Sequence, residues 1–422
     1  MKLISTSSRN AQGQLAALFA RRSVTYERAL PAARRIVNAV RGGGDAALRR
    51  YATRLDRISP HSPLRIASDA MAAVCDSVPS EFKLALEAAA RNIRAFAERQ
   101  RPKEWDFTPA RGLTVGQRVR PLDAVGCYVP GGRYPLPSTL LMTVIPAQVA
   151  GVQRIVVASP NPAPEILAAA AMLGITEFYR VGGAQAIAAF AYGTETILAV
   201  DKIVGPGNAY VTAAKKLVAF DCAIDMLAGP TEIVVTSEDG KPEWIAADLV
   251  AQAEHDPDAL AIFVTTTDTL ARIVVGEVKR QSRSSPTARE SIRRNGVAIV
   301  ARTADEAHQI TNRLAPEHLT VDSDSDLAWV RNAGSIFIGP YSAQPLGDYI
   351  SGPNHTLPTS ALARVRGGLS VADFLKVITV QEYHPDGLRR LGPAAVSIAE
   401  AEGLHGHAEA IRARLAESRG GR

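Results

Sequence analysis

Between Arg154 and Leu314, short β-branched runs alternate with Ala-rich stretches of helical length, and that texture confines the chain to a parallel α/β architecture. A first series reads as strand Arg154–Ala158, helix Pro164–Leu173, strand Glu177–Val181, helix Gln185–Ala191, strand Lys202–Val204 and helix Ala209–Leu217. A second follows Pro230: strand Ile233–Thr236, helix Pro242–Glu254, strand Leu260–Thr265, helix Leu270–Gln281, strand Val297–Ala301 and helix Ala304–Leu314. Helix-length crossovers imply parallel pairing with helices on the sheet faces. Two α/β units are expected, and 422 residues at roughly 100–200 per domain leave room for smaller terminal parts. Residues 1–105 read as helical, with apolar positions three and four apart over Ala33–Leu48 and Ser80–Phe96. After Leu369 the pattern again reads as helical and ends in a basic Arg412–Arg422 stretch expected to fray. No repeat with a period of about 20–50 residues is visible, although two α/β halves are compatible with a common ancestor.

Composition excludes several classes. Hydrophobic residues at 46% and charged residues at 21% are globular values, not those of a disordered chain or a coiled coil. Cys75, Cys127 and Cys222 are too few and too scattered for a disulfide framework or a cysteine-type zinc site, so a reduced cytoplasm is the expected compartment. The opening residues Met1 to Arg9 contain no apolar core of a secretory signal. The uncharged run from Tyr134 to Gln153 has the length of a bilayer span, but Pro135, Pro137 and Pro146 with Ser138, Thr139, Thr143 and Gln148 suit a buried protein interior better. No membrane association is expected. The net charge is +6 with both signs interspersed, and no aromatic–basic alternation or zinc-finger spacing points to nucleic acid. That charge is compatible with an anionic cofactor.

The histidines carry the most information. Gln252 and His255 are three apart on an expected helix, so both side chains project from one face near its C-terminal end. Read alone, they are more often a capped helix end with a surface histidine. Glu317-His318 follows Pro316; in isolation such a pair is more often an exposed loop, but a carboxylate beside an imidazole on a stiff turn can divide labour between water activation and proton removal. In Gly347-Asp348-Tyr349-Ile350-Ser351-Gly352-Pro353-Asn354-His355, glycines and proline force an irregular backbone that sets Asp348 and His355 in one loop. Glu402-Gly403-Leu404-His405-Gly406-His407 reads as helix, break, helix. Together Gln, His, Asp and His form a ligand set suited to Zn²⁺ or Mn²⁺ with positions left open for substrate. There is no GxGxxG. Three glycine-rich turns stand near strand ends instead: Tyr128-Val-Pro-Gly131-Gly132, Val181-Gly-Gly183-Ala-Gln185 and Gly205-Pro206-Gly207-Asn208. Glycine there admits a ligand close to the backbone or merely closes a tight βα turn. A thiol mechanism through Cys127 or Cys222 is disfavoured, because neither has a histidine in its local motif.

In this order the motifs resemble the histidinol dehydrogenase family. The resemblance runs through Gly126-Cys-Tyr-Val-Pro-Gly-Gly132, Val181-Gly-Gly-Ala-Gln-Ala-Ile187, Asp201-Lys-Ile-Val-Gly-Pro-Gly-Asn208, Ile224-Asp-Met-Leu-Ala-Gly-Pro-Thr-Glu232, Gln252-Ala-Glu-His255, Ala315-Pro-Glu-His318, the Gly347–Thr359 loop and the Glu402-to-His407 stretch. It implies an α/β fold of two incomplete Rossmann-like parallel-sheet domains plus small, largely helical N- and C-terminal segments. The implied division is 1–23 as an N-terminal helical segment, 24–127 with 233–369 as the first domain, and 128–232 as an NAD-binding domain. Residues 370–422 would be a tail exchanged within a homodimer. One Zn²⁺ per subunit would sit on Gln252, His255, Asp348 and, from the neighbouring subunit's tail, His407. Glu317 would activate water and His318 would take the alcohol proton. L-Histidinol would touch Thr231, His318, His355 and Glu402 besides the metal ligands, and NAD would touch Tyr128, Gln185 and Asn208. The implied reaction is a four-electron oxidation of L-histidinol to L-histidine through the aldehyde. Thr231 stands where the family commonly has Ser, and Leu227 where it often has Pro. Those departures keep open a relative acting on another small amino alcohol or diol, for example a sulfonate-bearing diol.

Overall fold

A computed structural model describes residues 1–20, 26–131 and 134–420. Each alternating series builds its own six-stranded sheet, and the two sheets share one strand order. In the first, Glu177–Tyr179, Arg154–Ala158, Ala124–Tyr128, Lys202–Val204 and Ala223–Ile224 lie side by side, all parallel. In the second the order is Val297–Val300, Leu260–Thr265, Glu232–Thr236, His318–Val321, Ser335–Ile338, again all parallel. Numbered along the chain, both read third, second, first, fourth, fifth. Each gains an edge strand beside its third: Arg65–Ile66, antiparallel, in one, and Lys2–Ser5, parallel, in the other. The central strands are apolar throughout because helices cover both faces; Ile233, Val234 and Val235 are at most 1% exposed.

The expected elements over 154–314 appear within a few residues of their predicted ends. The uncharged run from Tyr134 contains helix Pro137–Ala150, buried continuously from Thr139 to Ala147. Its apolar character thus reflects enclosure by protein. Among the described residues no helix is long and apolar enough to cross a membrane. Strand membership departs from the division that the resemblance implied. Within 24–127, Arg65–Ile66 and Ala124–Tyr128 pair with the strands of 154–224, not with those of 232–338, and residues 2–5 of the expected helical N-terminus are a strand.

The chain divides into two units. Residues 1–100 and 122–374 form the first, which holds both parallel sheets, and residues 101–121 and 375–422 form the second. The second unit is a three-stranded antiparallel sheet, in the order Leu375–Tyr383, Leu113–Pro121, Trp105–Ala110, followed by helices Pro385–Ala401 and His405–Gly420. Those helices bury Val396, Ala399 and Ala408 together against Ile411. The tail is therefore not wholly helical: Leu375–Tyr383 is β-branched and long, and it finds its partner over 250 residues upstream. The basic end expected to fray is helical as far as Gly420, and Gly421 and Arg422 lie outside the described residues.

Candidate active site

The amino ends of two neighbouring strands bring the first cluster together. Thr231 immediately precedes strand Glu232–Thr236, Glu317 immediately precedes His318–Val321, and these strands pair with Ile233 opposite His318. The Thr231 hydroxyl donates to Glu317 Oε2 at 2.5 Å, and the Glu232 backbone N–H donates to the same oxygen at 2.8 Å. Glu317 and His318 are buried, at 7% and 3% exposure. Burial pushes the Glu317 carboxyl above its usual range, against the opposing pull of His318 and those two hydrogen bonds. For His318 burial acts to lower the pKa, but the carboxylates of Glu317 and Asp348 outweigh it and raise it. His318 Nδ1 lies 3.2 Å from the Glu232 carbonyl oxygen and 3.6 Å from Glu317 Oε2. Donation of Nδ1–H to the Glu232 carbonyl would leave the lone pair of the neutral ring on Nε2, a buried atom without a hydrogen-bond partner, 3.6 Å from Asp348 Oδ1.

Helix Pro242–Ala253 runs antiparallel to its strands, so its C-terminal end arrives at the same place. Gln252 is 1% exposed, and its Nε2 donates to Thr231 Oγ1. The carboxamide is thereby turned so that Oε1 is left buried and unpartnered. His255 lies two residues past the helix end, not on it as the spacing predicts, and is exposed while still lining the cavity. Asp348 stands in a short helix, Gln344–Tyr349, where an irregular loop is expected. Gln344 Nε2 donates to Asp348 Oδ2 at 2.9 Å, and Asp348 Oδ1 lies 3.6 Å from His318 Nε2. Burial would raise the Asp348 carboxyl, but His318 more than compensates and holds it below the usual range. His355 donates from Nδ1 to the Asp348 backbone carbonyl at 2.7 Å, and burial lowers its pKa. It is therefore neutral near pH 7, with Nε2 as acceptor 3.4 Å from Thr139 Oγ1.

Thr231, Gln252, His255, Glu317, His318, Asp348 and His355 all line one cavity of about 220 Å³. Its opposite wall comes from the other sheet, through Ser138, Thr139 and the Gly205-Pro206-Gly207 turn. Gly205 has φ +115°, and a Cβ there would strike the Tyr128 backbone carbonyl, so backbone packing alone already demands glycine. The Tyr128 hydroxyl accepts from the Gly183 N–H at 3.1 Å. Gln185, fully buried, donates from Nε2 to Asp56 Oδ2 at 3.0 Å and keeps an unpartnered Oε1. Asn208 caps helix Ala209–Val218 through Tyr210 N and Val211 N. Gly132 of the first glycine turn lies outside the described residues. The thiols offer no nucleophile: burial pushes both Cys127 and Cys222 up to about 12.

Glu402 and His407 belong to the second unit, where both are exposed, at the end of one helix and the start of the next. Among the described residues no group of three or more His, Cys, Asp or Glu side chains is gathered for a metal. The cavity itself offers His255, Asp348 and the carboxamide of Gln252. The orphaned Gln252 Oε1, beside a carboxylate and an imidazole, fits a borderline cation that takes oxygen and nitrogen together. Three residues outside the sequence motifs also shape the site: Gln344, Asp56, and Lys215, which is buried against Asp225 of the 224–232 motif. Lys215 and Lys216 stand side by side in the last turn of helix Ala209–Val218, so the sequence does not mark which of them is buried; Asp56 likewise carries no signal.

Comparison with known proteins places the chain. The family model "Histidinol dehydrogenase" matches residues 19–415. The chain is 45% identical over 427 residues to the histidinol dehydrogenase of Gluconobacter oxydans (strain 621H), covering 98% of this chain and 99% of that one. It is 47% identical over 394 residues to that of Methanothermobacter thermautotrophicus, covering 90% and 92%. The crystal structure of histidinol dehydrogenase from Elizabethkingia anophelis superposes with a TM-score of 0.93 at 34% identity, covering 99% of this chain and 98% of that one. These likenesses make the chain an α/β oxidoreductase. More narrowly, it belongs to the histidinol dehydrogenase family along nearly its whole length.

Proposed function

We propose that the chain oxidises L-histidinol to L-histidine by way of L-histidinaldehyde, with two NAD per substrate and one zinc ion per subunit. The observation that carries this reading is a pair of buried, unpartnered atoms on residues lining one cavity: Gln252 Oε1, of ligand type, and His318 Nε2, of base type. Gln252, His255 and Asp348 would hold the zinc together with His407 of the partner subunit, and the partner subunit's Glu402 would reach the substrate. Tyr128, Gln185 and Asn208 would serve NAD. When bound, NAD would supply the hydride acceptor and zinc a Lewis-acidic hold on the substrate.

The residues do the rest. His318 Nε2 takes the hydroxyl proton in each oxidation, and its raised pKa makes it a stronger base than a free imidazole. Glu317, fixed through Oε2 by Thr231 and Glu232, removes a proton from the water that adds to the aldehyde. The hydrate then offers His318 a second hydroxyl. His355, neutral and pinned through Nδ1, presents Nε2 as an acceptor for a donor on the substrate. The three cysteines are free thiols, in keeping with a reduced cytoplasm, and nothing in the reading calls on nucleic acid or membrane.

Counting NADH per L-histidinol, with metal analysis of the same sample, tests the reading. Two NADH and one zinc are expected; a single NADH, or faster turnover of another amino alcohol or diol, overturns the substrate assignment. Sharing of the site between subunits has its own test. His407→Asn and Gln252→Leu homodimers should both be inactive. Their random mixture should regain about a quarter of wild-type activity, since one site in each heterodimer is intact. No recovery would mean that the sites close within one chain.

A further inference from the structure

We infer that Gln344 is a positioning residue for the cation site, holding Asp348 so that one carboxylate oxygen, Oδ1, is reserved for the ion. The inference rests on the zinc reading above and concerns a residue that does not itself reach the metal. A carboxylate can bind a cation through either oxygen or both, and a catalytic site needs one fixed choice. Gln344 makes that choice physically. It is 1% exposed, sits one helical turn before Asp348, and donates from Nε2 to Asp348 Oδ2 at 2.9 Å. The remaining oxygen, Oδ1, is the one that lies 3.6 Å from His318 Nε2, on the cavity side.

The position of Gln344 is itself tied down. Its backbone N–H donates to the carboxylate of Asp248, on the same helix that carries Gln252 one turn later. Asp348 in turn fixes His355 through its backbone carbonyl at 2.7 Å. A buried carboxamide costs free energy unless its hydrogen bonds are used, and an apolar side chain would fill this place more cheaply if packing were all that mattered. The same logic operates across the cavity. Thr231 Oγ1 takes Nε2 of Gln252 and leaves Oε1 orphaned. Each of the two-headed ligands thus has one head occupied by a dedicated neighbour.

The test is cation affinity, measured by chelator competition on the full-length protein. Gln344→Met keeps length and volume without the donor; Gln344→Asn keeps the amide but falls short of Oδ2. Both should bind zinc about 10–100-fold more weakly than wild type. NAD affinity by fluorescence titration should stay unchanged in both. The melting temperature of the metal-free protein should stay unchanged in Gln344→Met, whereas Gln344→Asn, with its amide buried and unsatisfied, should melt lower. Asp348→Asn, which alters the ligand itself, should lose more than either. If wild type binds one zinc and both Gln344 variants bind it equally tightly, the inference is overturned and the metal site stands. If wild type binds no zinc, the metal reading falls and this inference with it.

Discussion

The two parallel sheets share a strand order but use opposite ends of it. From the 124–224 sheet, the cavity receives turns that follow strands, such as Gly205–Gly207 after Lys202–Val204. From the 232–338 sheet it receives residues that precede strands: Thr231, Glu317, and Gln252 with His255 before Leu260–Thr265. Helices in such units run antiparallel to the strands. Carboxyl strand ends therefore lie beside helix N-termini, which carry partial positive charge, and amino strand ends lie beside helix C-termini, which carry partial negative charge. The first environment favours a pyrophosphate and the second a cation. Ligands of open α/β sheets ordinarily sit outside the carboxyl ends. The 124–224 sheet keeps that habit, while the 232–338 sheet departs from it and gathers its acid and imidazole where strands begin. One topology, used twice in opposite senses, offers the proposed NAD and zinc two electrostatically opposite floors.

The sharpest way to break this contrast is at the amino ends. His318→Asn should lower kcat about 10²–10⁴-fold for both oxidations while NAD affinity and bound metal hold, if the proposed base at Nε2 is all that is lost. Glu317→Gln should spare the first NADH and stall the second in single-turnover measurements. Equal loss in both steps would end the proposed division of labour.

On the carboxyl-end side the expected losses are in folding. Lys215 and Asp225 pair at 2.5 Å with side chains 4% and 1% exposed, and together they grip Gly205 through its carbonyl oxygen and its N–H. Lys215→Met would leave the Asp225 carboxylate buried without a counter-charge, at a cost of about 3–5 kcal/mol in denaturant unfolding. Adding Asp225→Asn should return part of that stability. An unchanged midpoint for the single variant would show the pair to be energetically neutral.

Much of this was legible in the sequence where local pattern decides structure. Arg154–Ala158, Lys202–Val204, Leu260–Thr265 and Ala304–Leu314 have the predicted ends, since proline, glycine and a change of period bracket them. The strands of the second unit were not legible. Leu113–Pro121 and Leu375–Tyr383 intersperse Arg118, Arg120 and Lys376 among their apolar residues, and their pairing depends on contacts over 250 residues apart. In the site, the adjacent pair Glu317–His318 announced itself, whereas the grip of Gln344 on Asp348 did not. Gly347, Gly352 and Pro353 make that stretch read as loop, and the i,i+4 relation acquires meaning only once it is helical. Asp56 was invisible because its partner Gln185 is 129 residues away.

That last contact gives a smaller test on the carboxyl-end side. Gln185→Leu removes the amide that Asp56 Oδ2 accepts at 3.0 Å, loosening the turn that Asp56 also holds through the Gly182 N–H at 2.9 Å. Loss of one such bond is worth about 1–3 kcal/mol, so NAD affinity should fall about tenfold, with zinc content unchanged. Loss of zinc instead would erase the separation between the two floors.

The smallest expected effect is a change of slope with pH on the amino-end side. Burial raises the Asp248 carboxyl from 3.8 to about 6, partly offset by the Gln344 N–H. The folded state therefore holds this proton more tightly than the unfolded chain does. Stability from Asp248 is complete below about pH 4 and is lost as pH rises through about 6. Asp248→Asn, neutral at every pH, should flatten that part of the profile: urea midpoints compared at about pH 4 and about pH 7 should converge relative to wild type. If the wild-type profile is already flat there, the carboxylate is better solvated than its place beneath the Gln344–Tyr349 helix implies. The tie between that helix and the one carrying Gln252 would then be a weak one.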